Sequence, residues 1–364
     1  MKKVAIISNL PSGGARIVLN STKEYLSKKY YTEELGKSVE SYTVNGIIRY
    51  YYSVIQEIIY NYKVSKLINQ EFDILLAYQS WLTKSPIIFP FITIPIVYIC
   101  HEVPREHYDP QVTSKHTIKE QIINRIFLYP IKLIDRLNLM VHNNNLTIVT
   151  LSKISGDMIR KTYNIKPRII HPGISLKGYA KYSGYNNRYN QVITVGAINK
   201  YKNQLFVLES ISQIPIENRP KVIIVGNGGD AQYIADLRKY ARIKSIKIDI
   251  RIGISKSTLI NLYKSSYALM YSPVNEPYGL VVLEGMKAGL PIIASKGGGY
   301  EEIINSSNGY IIQQDAKLWA STYMKLYNNR ELWEKYSQQN YTDSTNFSDL
   351  KYSQKITSII ERMI

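Results

Sequence analysis

At 364 residues, against the roughly 150 of a typical domain, the chain has material for about two and a half units, so two globular domains are expected and a single small module is excluded. A composition of 45% hydrophobic and 20% charged residues, with only 20 Gly and 14 Pro, supplies full cores and rules out a disordered or collagen-like chain. The 46 Lys and Arg against 28 Asp and Glu leave +18, a positive field that attracts phosphate-bearing partners without choosing among nucleotides, nucleic acid and anionic lipid heads.

The opening MKKVAIISNLPSGG has an apolar run of four residues before Ser8, too short for the core of a secretion signal. The single Cys100 excludes an internal disulfide framework and fits a reducing compartment, so a cytoplasmic protein is expected. The longest apolar stretch, Ser85 to Cys100, falls short of the roughly 17 to 25 residues of a membrane span and is broken by Pro86, Pro90 and Pro95.

Taken in chain order, short β-rich runs alternate with longer helical stretches, the pattern of parallel sheets covered by helices. The first series predicts strands at Lys3–Ser8, Val39–Val44, Asp73–Tyr78, Pro95–Cys100, Leu146–Leu151 and Arg168–His171. Helices are predicted at about 14–29, 47–69, 118–139 and 153–162. A second series opens at Gln191 (QVITVG) and continues with Lys221–Val225, Ile246–Ile250, Tyr267–Tyr271, Pro291–Ala294 and Gly309–Ile312. Most of these runs are apolar without alternation, as strands buried on both faces should be. The polar, Gly- and Asn-rich stretch after His171 lacks hydrophobic periodicity and reads as a linker. The expected division is therefore an N-terminal Rossmann-like domain over 1–172, a linker at 173–190, a C-terminal Rossmann-like domain over 191–345 and a closing segment at 346–364. That segment places Ile356, Ile359, Ile360 and Met363 on one helical face. Two doubly wound α/β domains facing a cleft follow, with ligands expected at the carboxyl ends of the strands.

Two motifs carry chemistry. The first strand runs into Asn9-Leu10-Pro11-Ser12-Gly13-Gly14-Ala15-Arg16, where Gly13 and Gly14 let backbone amides and a helix amino end approach an anion. Read alone, these residues serve equally as a tight turn with no ligand, since neither a Walker A lysine nor G-x-G-x-x-G is present. The sharper motif is Asn275-Glu276-Pro277-Tyr278-Gly279-Leu280-Val281-Val282-Leu283-Glu284, which leaves a strand and enters a helix near Leu280. Amides around Gly279 and Leu280 make an anion seat, and Glu284 follows about one turn, roughly 6 Å, further along. A carboxylate accepts two hydroxyl donors at once, which suits Glu284 to a ribose diol and Glu276 to sugar hydroxyls. An unpaired carboxylate within LVVLEGM would be costly, which argues against Glu284 as an idle surface charge.

These residues resemble the retaining glycosyltransferases of family four, which have the GT-B fold. The order NEPYGLVVLEGMKAGLPIIASKGGGYEEII matches that family's two glutamates eight positions apart and its downstream glycine pair and glutamate, here Gly297, Gly298 and Glu301. VGAINKYKNQ (Val195–Gln204) is similar to the family's VG-Arg…Lys-Asn-Gln signature, with Lys202 retained and Ala197 in place of the arginine. IVGNGGDAQYIADLRKYA looks like the unit that follows, and IPIVYICHEV like a strand ending in a functional histidine, here His101. The resemblance implies an acceptor-side N-terminal domain and transfer of a sugar from a nucleotide-diphosphate sugar to a hydroxyl acceptor, a glycan, a lipid-linked sugar or a protein. It implies Lys202, Lys200 and the Gly279 and Leu280 amides around the diphosphate, Glu284 on the ribose, Glu276 on the donor sugar, His101 near donor and acceptor, and Gly13 and Gly14 over the phosphates. It also implies no metal and no cofactor beyond the donor substrate. The absence of Asp-x-Asp, the pair that holds a divalent ion in the other major glycosyltransferase fold, agrees. Ala197 raises the alternative of a weakly active or inactive sugar-nucleotide binding protein.

His101-Glu102-Val103-Pro104-Arg105-Glu106-His107 is not H-E-x-x-H, and Pro104 prevents the helix that would stack ligands, so no zinc is assigned. His107, His116 and His142 have no supporting pattern. Lys115–His142 mixes Ile, Leu and Phe with five Lys and Arg and two acidic residues; it reads as a packed helix with a solvated basic face, or as a peripheral membrane contact. The basic residues are dispersed and no RNA or DNA module is recognisable, so nucleic acid is not an expected partner.

Overall fold

A computed structural model describes residues 1–11, 13–37, 47–83, 85–104, 108, 118–140, 145–175, 177–179, 182, 184–273 and 275–364. The chain divides into two compact units, Met1–His171 with Leu350–Ile364, and Pro172–Asp349.

The first unit is a parallel sheet with strand order β2-β1-β3-β4-β5-β6. Its strands are β1 (Lys3–Ile7), β2 (Tyr31–Glu34), β3 (Ile74–Tyr78), β4 (Ile96–Ile99), β5 (Leu146–Thr150) and β6 (Arg168–Ile169). Among the described residues, helices α1 (Gly14–Leu26), α2 (Ile47–Glu71), α3 (Ile118–Met140) and α4 (Lys153–Tyr163) accompany them. The central strands β3 and β4 are buried throughout because helices cover the sheet, which is why ILLAY of β3 shows no alternation. Ala5, Leu75, Ala77, Tyr98 and Ile148 meet Phe72, Phe89 and Ile159 in one apolar core. The strand beside β1 is Tyr31–Glu34, which the sequence reading did not include, and the expected strand Val39–Val44 lies outside the described residues. Its sequence YTEE is half exposed at the sheet edge and so leaves no apolar run to read. Helix α4 has legible ends: Ser152 Oγ accepts from the Ser155 amide at 3.1 Å, and Asn164 closes it in the left-handed conformation.

A buried carboxylate organises the far side of this unit. Asp135 on α3 accepts from the Ser85 amide at 3.0 Å, Tyr163 Oη at 2.7 Å and Tyr108 Oη at 3.1 Å. Burial pushes its carboxyl above the usual range, and these donors work against that rise.

The second unit has strand order β12-β11-β10-β7-β8-β9, again all parallel. Its strands are β7 (Gln191–Val195), β8 (Lys221–Gly226), β9 (Ile248–Ile252), β10 (Ala268–Tyr271), β11 (Ile292–Ser295) and β12 (Gly309–Ile312). Helices α5 (Gln204–Ser212), α6 (Ala231–Ile243), α7 (Lys256–Ser265), α8 (Leu280–Lys287), α9 (Ala316–Tyr327) and α10 (Arg330–Asp343) complete it. Asp230, Ser255, Asp315 and Asn329 each cap a helix by accepting an amide three residues on. Trp319 and Trp333 are fully buried, and the Trp333 indole donates to Tyr267 O at 2.8 Å, so its one polar atom is satisfied within the core.

Residues of the stretch read as a linker pack into this second unit. Arg188 lies over the Trp333 ring and donates to Tyr263 O at 2.9 Å and Ala288 O at 2.6 Å. Helix α11 (Asp349–Glu361) is counted almost wholly with the first unit, where Glu361 pairs with Lys29 and accepts from Tyr30 Oη. Among the described residues no helix is long and apolar enough to cross a membrane.

Candidate functional site

In the second unit the sheet order reverses direction between β7 and β10, which are hydrogen-bonded neighbours far apart in sequence. Loops leaving the carboxyl ends of two such strands diverge and open a crevice. The two sequence motifs occupy these loops. After β7, Asn199 Oδ1 accepts from the amides of Tyr201 and Lys202, both at 3.1 Å, which turns the chain tightly and presents Lys202. After β10, Ser272 Oγ donates to Asn203 O at 2.8 Å, tying the second loop to the first. Lys202 Nζ and Glu276 Oε2 meet at 2.5 Å. Lys200 and Ala197 are exposed on the same loop as Lys202.

Gly279 then reverses the chain into α8 with φ 89°. A Cβ there would lie 2.8 Å from Tyr300 Cδ1, so both conformation and space demand glycine. Among the described residues no side chain caps the amino end of α8, which begins at Leu280 and presents main-chain donors. Glu284 sits one turn in, half-buried, and its Oε2 accepts from Tyr263 Oη at 2.8 Å. Burial raises the Glu284 carboxyl above the usual range, with Tyr263 and Lys256 opposing the rise. The buried hydroxyls of Tyr263 and Tyr179 are pushed up in turn, first by burial and then by the Glu284 charge. Downstream, Glu301 Oε1 accepts from the amides of Gly297 at 2.5 Å and Gly298 at 3.3 Å, so the glycine pair and its glutamate form one closed turn.

The first unit holds the remaining sequence-identified residues. Gly13 precedes α1 with φ 154°, and a Cβ there would meet nothing within 4 Å, so its conformation and not crowding favours glycine. Gly14 opens the helix and is exposed; Ser12 lies outside the described residues. His101 follows β4, is 9% exposed and has Nε2 without a hydrogen-bond partner among the described residues. Its ring lies 5.9 Å from that of Tyr78, and burial lowers its pKa to about 4, which makes it a neutral imidazole at pH 7. At the β1–β3 reversal a cleft is lined by Ser8, Asn9, Glu57, Asn61 and Ser80. His107, His116 and His142 lie outside the described residues, and among those described no group of three His, Cys, Asp or Glu is placed to hold a metal.

Sequence reading missed Tyr263 and Tyr271. Tyr263 orients Glu284, and Tyr271 touches Glu276 from the end of β10. Among 32 tyrosines neither carries a local signal, because each acts across the fold and not along the chain.

Residues 179–343 match the family described as Glycosyl transferases group 1. The chain is 23% identical over 265 residues to an uncharacterized glycosyltransferase of Methanocaldococcus jannaschii, covering 65% of this chain and 68% of that one. It is 19% identical over 345 residues to an alpha-1,3/1,6-mannosyltransferase of Yarrowia lipolytica, covering 80% and 71%. Among solved structures, sucrose-phosphate synthase from Thermosynechococcus elongatus superposes with TM-score 0.76 at 13% identity, covering 100% and 99% of the two chains. An Anabaena protein in complex with UDP-glucose gives TM-score 0.76 at 14% identity over the whole of both chains. The fold is thus of the GT-B kind.

Proposed function

We propose that this chain, a glycosyltransferase that belongs to Glycosyl transferases group 1 through residues 179–343, moves a sugar from a nucleoside-diphosphate donor to a hydroxyl acceptor with retention at the anomeric carbon and without a metal. The observation that carries the reading is the convergence of Lys202, Glu276, the amino end of α8 and Glu284 at the β7–β10 reversal of one unit. A cation and uncapped amides suit a departing diphosphate, and preorganised charge of this kind is usually the largest catalytic contribution. In this reading the Lys202 cation is shared between Glu276 in the free protein and phosphate in the complex, and Lys200 adds a second, exposed cation. Glu276, released from the pair, takes donor-sugar hydroxyls; Glu284 takes the ribose diol.

The first unit offers a neutral imidazole at His101 and backbone amides at Gly13 and Gly14, groups of the kind that hydrogen-bond sugar hydroxyls and phosphate. The acceptor oxygen bonds to the anomeric carbon on the face from which the diphosphate oxygen departs, and the acceptor proton passes to that oxygen. The names of the relatives support glucose or mannose donors carried on nucleoside diphosphates.

The test is a panel of uridine and guanosine diphosphate sugars, scored for thermal stabilisation and for released nucleoside diphosphate. A bound donor at a hundred times its dissociation constant stabilises the fold by about 2.7 kcal/mol. Turnover that vanishes in Glu276→Ala supports the reading; a panel with no stabilising member overturns it. Stabilisation without release would favour the binding-protein reading that Ala197 motivates.

A further inference from the structure

Two helices of the first unit expose faces that packing does not explain. Along α2, Ile48, Tyr52, Ile55, Ile59 and Tyr62 recur at helical intervals and are each between 48 and 86% exposed. They form one stripe about 21 Å long by the helical rise. Along α3, Ile126, Leu133, Leu137 and Met140 make a second stripe, between 47 and 67% exposed. Tyr51 Oη donates to Phe127 O and joins the two helices. A surface helix ordinarily turns such residues inward and its charges outward.

The charges follow an equally one-sided rule. Between 48 and 70 the exposed charged residues are Arg49, Lys63 and Lys66; between 126 and 140 they are Arg136, with Lys132 half-buried beside it. The acids of the same stretches, Glu57 and Asp135, are buried at 6% and 0% exposure. Glu71, the next acid along α2, is paired with Lys3.

We propose that these faces dock on an anionic lipid bilayer, the apolar stripes entering the boundary between headgroups and acyl chains and the flanking cations resting on lipid phosphates. Charge complementarity selects this occupant. A second copy of the chain would oppose like charges, and a nucleic acid would gain nothing from rows of exposed isoleucine. The inference is independent of the catalytic reading, because its assay measures no turnover.

The full chain is floated with vesicles of phosphatidylcholine alone and of phosphatidylcholine mixed equally with phosphatidylglycerol. Binding to the anionic vesicles is expected, and weak binding to the neutral ones. Lys63→Gln/Lys66→Gln/Arg136→Gln should lower the partition coefficient by about fivefold per charge. Ile55→Ser/Ile59→Ser should lower it further than loss of any one charge. Both sets are at exposed positions, and unchanged circular dichroism verifies that each variant is folded. A matched triple on α6 of the second unit, Arg238→Gln/Lys239→Gln/Arg242→Gln, should leave binding unchanged. Failure of the wild type to float with anionic vesicles overturns the proposal. So does equal weakening by the α6 control, which would reduce the effect to net charge. A change in the sedimenting mass of Ile55→Ser/Ile59→Ser without lipid, with vesicle binding intact, would overturn it in favour of self-association.

Discussion

Glu284→Gln separates the cost of a site from its use. In the free protein the carboxylate is partly withdrawn from water and has one neutral donor, Tyr263 Oη at 2.8 Å. Its folded pKa lies above the ordinary 4.5, so the native state retains this proton longer than the unfolded chain does. Stability from this group is therefore full below pH 4.5 and drains as the pH rises through the folded value, above which the whole penalty is in force. Glutamine keeps the size and an acceptor for Tyr263 but carries no charge. The free variant should melt at or above wild type at pH 7, with the difference closing on acidification toward pH 4. Binding should move the other way. A carboxylate that accepts from two ribose hydroxyls makes two charge-assisted bonds, and exchanging each for a neutral contact loses about 1–1.5 kcal/mol. The sum, about 2–3 kcal/mol, predicts a roughly 30- to 150-fold weaker nucleoside diphosphate. Calorimetric titration with UDP and GDP and thermal melts across pH 4–8 measure both arms. A variant that melts below wild type at pH 7, or binds nucleotide as tightly, refutes the reasoning.

Lys202→Ala breaks a pair whose side chains are 28% and 14% exposed, so solvent screening limits its worth to stability to about 1 kcal/mol, whereas turnover should fall by about 100- to 1000-fold if the cation stabilises the leaving group. Equal losses in melting and in kcat would argue for a structural pair. Ala197→Arg adds a cation at an exposed position on the Lys202 loop and should tighten nucleoside-diphosphate binding by about fivefold or more, read by the same titration; no change would place position 197 away from the phosphates. His101, with a folded pKa of about 4 against the ordinary 6.5, should destabilise the fold by about 3 kcal/mol as the pH falls from 6.5 to 4. His101→Phe, which keeps a ring against Tyr78, should flatten that limb of the stability profile, and an unchanged acid limb would contradict the burial argument.

Local chemistry made much of the site legible in the chain. Gly279 had to be glycine for a chain reversing into a helix, and the eight-residue interval from Glu276 to Glu284 carries the second carboxylate one turn beyond that reversal whatever surrounds it. Buried parallel strands are apolar on both faces, so β3, β7 and β10 announced themselves as continuous runs, while β2, an edge strand of sequence YTEE, did not. The pairing of Lys202 with Glu276 across 74 positions, the hydroxyl of Tyr263 beneath Glu284, and the stripes left exposed on α2 and α3 had no such signature. An apolar stripe looks the same in the sequence whether it meets a core or open water, and a tyrosine looks the same whether or not its hydroxyl meets a carboxylate. The sequence by itself determined where strands end, where the chain must turn and which charges lie within a turn of one another, since backbone sterics and helical rise act over a few residues. Only tertiary structure decided which of those groups touch, because strand order in a doubly wound sheet brings β7 beside β10 and leaves the intervening residues no say in the contact.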